Sequence, residues 1–423
     1  MANSFYRAVW RWHFYAGFII LPVLAWLAVT GSLYLYKPEI ERTVFGDLVE
    51  VPDAGPPEPV SRLVALVEQQ TGGRVTQVAR PAGAGESWRF AVTQDSGARR
   101  LAFVRPDNGR VLGTSVPGGP VDVIKQLHSL AITGPVGNVL VEIVAGWAII
   151  LVLTGSYLWW PRGATRALSL AGRVGERRFW RNLHASVGVL VGSIILFLAV
   201  TGMPWTVFWG SRFHALVAAQ GIGRPAAPAG GAGGHDVHLP WSLQGHPAPA
   251  GEGHGDVGID RALAIAGERG IGAPWTIDLP AEPGKPYRVA RQIRKVEEAR
   301  LISIDASSGK VLQDVGWSDF GPGAKAFEWG ITTHQGQQFG EANRLIMLAG
   351  CLGVLLLTIS APIMWWKRRR PGRIDAPQGG QRGGGGVAAI MIAVGLLFPL
   401  TGASMIAALL IERMTVQGRR LAA

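Results

Sequence analysis

Four long apolar runs, each headed by a histidine at a fixed distance from a small hydroxyl residue, leave this chain few folds to choose from. His13 precedes Thr30-Gly31 by 17 positions, and His184 precedes Thr201-Gly202 by the same 17. His128 precedes Thr154-Gly155 by 26, and His334 precedes Ser360-Ala361 by 26. After each of the two longer spacings come a double tryptophan (Trp159-Trp160, Trp365-Trp366) and a basic stretch. The order short, long, short, long is an internal duplication, and a repeat of this kind dictates how the rest of a chain is read.

The runs are of membrane-spanning length. Roughly 20 apolar residues cross the hydrocarbon of a bilayer, and the stretches near 14–36, 138–160, 185–209, 345–366 and 387–411 meet that length. Only 17% of the 423 residues are charged, against about 25% in soluble domains. The fold class expected is an integral-membrane α-helical bundle of about five spans. The first run has no small-residue cleavage site at its end, so it is expected to be retained.

A net charge of +12 raises the question of nucleic acid, but its placement answers for membrane lipid instead. Arg162, Arg166, Arg173, Arg177, Arg178 and Arg181 crowd one short loop, and Lys367, Arg368, Arg369, Arg370, Arg373 and Arg382 crowd another. Short basic loops beside spans mark the cytoplasmic side. The N-terminus is then inside and the C-terminus outside. The long loops lie outside, in the periplasm if the chain sits in the inner (cytoplasmic) membrane of a Gram-negative bacterium. The layout is 1–36 for the N-terminus and first span, 37–127 for an external loop, 128–162 for the second span, and 163–182 for a basic cytoplasmic loop. The third span occupies 183–209, a second external loop 210–333, the fourth span 334–370, a cytoplasmic linker 371–386, a fifth span 387–411, and a tail 412–423.

Each external loop carries a small α+β module, near 59–116 and 258–316. Residues 60–70 and 259–270 have apolar positions at helical spacing, and short alternating runs follow, such as WRFAVTQ and ARLISID. Both modules close on an acidic turn with glycine, then a basic residue, Val and Leu: Asp107-Asn108-Gly109-Arg110-Val111-Leu112 and Asp305 to Leu312. Between them, residues 224–256 are rich in Gly, Ala and Pro and carry His235, His238, His246 and His254. That stretch reads as a disordered linker or as a weak divalent-metal tether.

The histidines carry the chemistry. Seventeen helical residues rise about 25 Å, so His13 and His184 share the cytoplasmic edge, while His128 and His334 share the external one. A spacing of 26 exceeds one straight span, and Gly134-Pro135 after His128 predicts a short separate segment or bend. Neutral imidazole is a strong iron ligand, and two of them on one haem suit electron transfer. The single cysteine, Cys351, rules out thiolate-held iron–sulfur clusters, and the lack of CxxCH rules out covalent haem attachment. Two b-type haems are therefore expected, one on His13 and His184, one on His128 and His334. Ala16, Gly17, Gly188 and Gly192 are candidates for leaving a flat macrocycle room. His214 is a rival external ligand, Arg344 a candidate partner for a haem propionate, and Glu142 an intramembrane carboxylate near the outer end.

Two helix-plus-sheet modules with this closing turn look like PepSY domains. Set between histidine-headed spans that end in TG or WW, they resemble the PepSY-associated transmembrane family, which includes iron-regulated membrane proteins and ferric-siderophore reductases. The resemblance covers nearly the whole chain. It implies a haem-dependent oxidoreductase that reduces a ferric siderophore, or another iron chelate, outside the cytoplasm to release iron. With no G-x-G-x-x-G following a strand, the donor is expected to be a cytoplasmic reductase or a quinol. The alternative is a membrane-anchored protein whose modules bind peptides or regulate proteases without redox activity. A transporter fits less well, because the spans are nearly free of charge.

Overall fold

The computed structural model describes residues 2–160, 168–223, 249–251, 253, 255–370 and 384–421. The four linker histidines (His235, His238, His246 and His254) fall outside the described residues, as do Arg162, Arg166, Arg373 and Arg382.

Among the described residues four helices are long and apolar enough to cross a membrane: α1 (Ala2–Leu35), α5 (Pro135–Trp159), α6 (Arg177–Gly202) and α10 (Gly340–Trp366), with mean hydropathy of 2.1 to 2.3 over their most apolar windows. Helix α1 packs against α5 and α10, and α6 packs against the same two. The four form a ring with α1 diagonal to α6 and α5 diagonal to α10. Around them stand α2 (Lys37–Val49), α4 (Gly119–His128), α7 (Phe208–Ala219) and α9 (Pro322–His334). The longer histidine spacing resolves as a break in the helix. His128 is the last residue of α4 and His334 the last of α9; a new helix begins at Pro135 and at Gly340.

The run at 387–411, expected to be a fifth crossing, is two helices, α11 (Gly384–Leu397) and α12 (Pro399–Leu421). Proline at 399 lacks the N–H that would continue α11, and the chain folds back. A side chain on Gly402 would meet the Gly395 backbone at 2.6 Å, so both glycines are needed for the close approach. Phe398 at the tip packs with Met203 and Ile149, and Met405 packs with Ala16, Ile20 and Trp147. The hairpin thus returns toward the end of the bundle it came from, instead of crossing to the opposite side.

The two helix-plus-sheet modules are one body. Each has a helix on one face, α3 (Val60–Thr71) in the first and α8 (Ile259–Glu268) in the second. The first supplies β1 (Gly73–Arg80), β2 (Trp88–Gln94), β3 (Arg99–Val104) and β4 (Val111–Ser115). The second supplies β5 (Trp275–Asp278), β6 (Tyr287–Arg291), β7 (Arg300–Ile304) and β8 (Val311–Gly316). Strands β1 and β5 pair antiparallel, Val78 opposite Ile277, which gives a single sheet in the order β4-β3-β2-β1-β5-β6-β7-β8. A four-stranded module alone would leave β1 or β5 as an open edge with unpaired N–H and C=O groups; the seam satisfies both. Val60, Leu63 and Val67 of α3 and Ile259, Ala262 and Ile265 of α8 meet Phe90, Val92, Ile277 and Val289 in one core, and Trp88 meets Trp275 edge to face at 5.5 Å. The opposite face sits on the bundle, where Ala290, Leu301 and Val315 pack against Phe320 and Ala324 at the start of α9. Buried Gln338 ties the two parts, accepting from the Val296 amide at 3.1 Å and donating to Glu297 at 2.9 Å.

Across the seam, the Asp260 carboxylate of the second module accepts hydrogen bonds from the Val60 and Ser61 amides at 2.8 and 3.3 Å, at the N-terminus of the first module's helix. It acts as a cap supplied from the neighbouring module. Asp260→Ala is expected to destabilise the sheet domain by about 1 kcal/mol, read as a lower urea midpoint in the fluorescence of Trp88 and Trp275 in the solubilised protein.

Candidate functional site

The four histidines of the repeat occupy equivalent places in the bundle, and each is held by the hydroxyl that ends another helix's run. His13 Nδ1 lies 2.9 Å from Thr154 Oγ1, and His128 Nδ1 lies 3.0 Å from Thr30 Oγ1. His184 Nδ1 lies 2.9 Å from Ser360 Oγ, and His334 Nδ1 lies 2.8 Å from Thr201 Oγ1. The exchange is reciprocal. Helix α1 holds the histidine preceding α5 and α5 holds that of α1; α6 and α10 do the same. Thr30, Thr154, Thr201 and Ser360 are thus the partners of the histidines, residues that sequence reasoning used only as landmarks. Their signal was the fixed spacing itself.

Proton accounting favours one tautomer. A hydroxyl has one hydrogen, and those of Thr30, Thr154, Thr201 and Ser360 have a carbonyl of their own helix as acceptor, Trp26, Ile150 and Phe197 at 2.8, 2.6 and 2.7 Å and Leu357 at 3.2 Å. A hydroxyl so engaged accepts from the histidine, the arrangement that places the ring proton on Nδ1 and the lone pair on Nε2. A hydrogen bond on one ring nitrogen orients the other toward a metal in many metalloproteins. Neutral rings are required, and burial supplies that outside the spans. It pushes His334 down to about 3, with neighbouring His128 adding to the effect, and burial likewise pushes His128 below its ordinary value.

The glycine after each threonine makes room for the ring. A Cβ on Gly155 would meet His13 Cε1 at 3.2 Å, one on Gly31 would meet His128 Cε1 at 3.2 Å, and one on Gly202 would meet His334 Cε1 at 3.7 Å. A Cβ on Gly17, Gly188 or Gly192 would meet only Leu151, Leu357 or Val152 of neighbouring helices, at 3.8, 3.7 and 3.5 Å, and Ala16 packs in the cluster around Trp147.

The histidines pair across the diagonals. His13 of α1 lies within electrostatic reach of His184 on α6 at the end far from the sheet, and His334 lies within reach of His128 at the sheet end. Because Thr30 holds His128 and lies 17 residues from His13 on one helix, the repeat spacing is the distance between the two sites, about 25 Å along the bundle. Protein encloses all four rings, yet none is fully buried by surface area. Among the described residues no three His, Cys, Asp or Glu side chains converge on one point. Two imidazoles lie within electrostatic reach of each other at either end of the bundle, a donor number that would suit a haem.

Three other candidates are placed elsewhere. His214 turns its Nε2 to the Pro204 carbonyl at 3.1 Å and sets its ring edge-on to Phe327. Arg344, expected to be open to a propionate, is instead engaged by Glu39 and by Glu341 (2.6 Å) and stacks on Tyr36. Glu142 is 1% exposed and does not reach water. Its carboxylate accepts the Phe208 and Trp209 amides at 3.0 and 3.2 Å, so it caps α7 and satisfies two of the amides that a helix start leaves unbonded.

The family model of the PepSY-associated TM region matches residues 10–368. No curated protein matches the chain.

The tautomer assignment has a direct check. With 15N-labelled histidine, solid-state NMR of the protein is expected to show His13, His128, His184 and His334 protonated on Nδ1. Thr201→Val leaves the His334 N–H without its acceptor, a loss of about 1–3 kcal/mol for a buried donor, and is expected to broaden or shift that one resonance while the His13 signal stays in place.

Proposed function

The chain belongs to the family of the PepSY-associated TM region, and from that premise we propose that it carries electrons across a bacterial inner membrane through two b-type haems. The acceptor is a ferric iron chelate, such as a siderophore, on the periplasmic, sheet-bearing side. The N-terminus and the basic loops after α5 and α10 lie in the cytoplasm, as positive charge beside spans indicates. The observation that supports the reading is the set of four histidines, each with Nδ1 on a hydroxyl of another span, that fall in two pairs at opposite ends of the bundle.

A bound haem would supply one-electron exchange at its iron. This chain's residues do the rest. His13 and His184 would hold the cytoplasmic group, and His128 and His334 the periplasmic one. The hydroxyls of Thr154, Ser360, Thr30 and Thr201 keep each imidazole neutral and aimed, so ligation needs no proton movement when the charge at the site changes. The apolar faces of α1, α5, α6 and α10 exclude water between the two levels. One electron reaching the periplasmic mouth converts the Fe(III) of a chelate to Fe(II), which hard oxygen ligands hold far less firmly, and iron is released. Reducing equivalents enter from a cytoplasmic reductase or a quinol. The alternative, a peptide-binding or protease-regulating protein, has no use for the histidine pairs.

The purified protein is expected to show a low-spin b-type absorbance spectrum, reoxidised on addition of a ferric siderophore. His128→Ala or His334→Ala is expected to remove about half of the haem. A colourless protein from haem-replete cells would overturn the reading and leave the binding-module alternative standing.

A further inference from the structure

At the sheet end of the bundle, two lysines lie beside the segments that carry the paired histidines. Lys37 opens α2 just past the end of α1, and its Nζ reaches Gln335 Oε1, next to His334, at 3.5 Å. The Tyr34 ring lies under it, 4.9 Å from Nζ. Lys125 lies in the last turn of α4, three residues before His128, and its charge is felt at Lys37. Neither lysine makes an ion pair among the described residues. Glu41 is the carboxylate whose charge Lys37 feels, but it is bound to Arg89 at 3.2 Å. Arg344, the other cation at this rim, is occupied by two carboxylates of its own.

Two like charges held near each other, one of them largely enclosed, are unfavourable unless an anion joins them. Burial pulls Lys37 down, Glu41 opposes it and Lys125 adds a smaller downward pull, to a net value of about 8. A lysine that only anchors the chain at a membrane surface extends its ammonium into water; Lys37 is turned inward over an aromatic ring.

We propose that Lys37 and Lys125 form a seat for a carboxylate or similar oxyanion at the sheet-side rim, between His128 and His334. Two sources share that chemistry: a propionate of the haem those histidines would hold, and the anionic oxygens of an incoming chelate. The assignment rests on the haem reading above.

The test uses the full chain with Lys37→Gln, Lys125→Gln and the double variant. Lys125 is exposed, so its variant is expected to fold. In a redox titration without chelate, removing positive charge beside a propionate is expected to shift the reduction equilibrium of the sheet-side haem several-fold toward the ferric form, with the other haem unmoved. An unshifted equilibrium combined with several-fold slower reduction of an anionic chelate, but not of a neutral one, assigns the seat to the substrate. Intact haem content with neither change overturns the proposal. If the protein holds no haem, the functional reading fails separately, and the seat is tested by acetylating Lys37 at pH 8 with mass-spectrometric readout. Citrate is then expected to slow labelling several-fold; unchanged labelling overturns the seat.

Discussion

The arrangement depends on a hydrogen bond whose direction each helix favours. A threonine or serine near one end of each span gives its only hydrogen to its own helix, which turns its oxygen into an acceptor for a histidine on the next helix. That favours one tautomer. It also ties the end of one span to the start of another, so the four helices cannot slide without breaking a buried polar contact. An unmade bond of this kind costs about 1–3 kcal/mol inside a protein, and the bundle makes four.

Duplication explains why the contacts are reciprocal. One repeat supplies α1 and α5, the other α6 and α10, and within each repeat the hydroxyl of one helix serves the histidine of its partner. The paired rings, in contrast, come from different repeats, His13 with His184 and His128 with His334. A single repeat would hold two half-sites and no whole one. The outer modules follow the same rule: each has an unpaired edge that only the other repeat completes, through β1 and β5. Fusing the two units in one chain brings both the sites and the seam to closure.

Charge at the rims is managed differently at each position. Glu142 is buried without a cation and relies on two backbone amides. Arg344 is held by a pair of carboxylates, whereas Lys37 and Lys125 are left without one among the described residues.

The sequence by itself determined the spans, the duplication, the two helix-plus-sheet modules and the four histidines, because hydropathy, period and spacing are local quantities. The 17-residue interval already contained the distance between the two histidine pairs, since a helix has a fixed rise per residue. Only the tertiary structure decided which hydroxyl meets which ring, that Pro399 and the Gly395–Gly402 contact turn an apolar run into a hairpin, and that the two modules share one sheet. It also placed Arg344, a candidate propionate partner, against two carboxylates, because ion pairing is settled by neighbours distant in the chain: Glu39 lies 305 residues from the arginine it binds. Local pattern carries no record of such partners, whereas packing across the ring of helices fixes them.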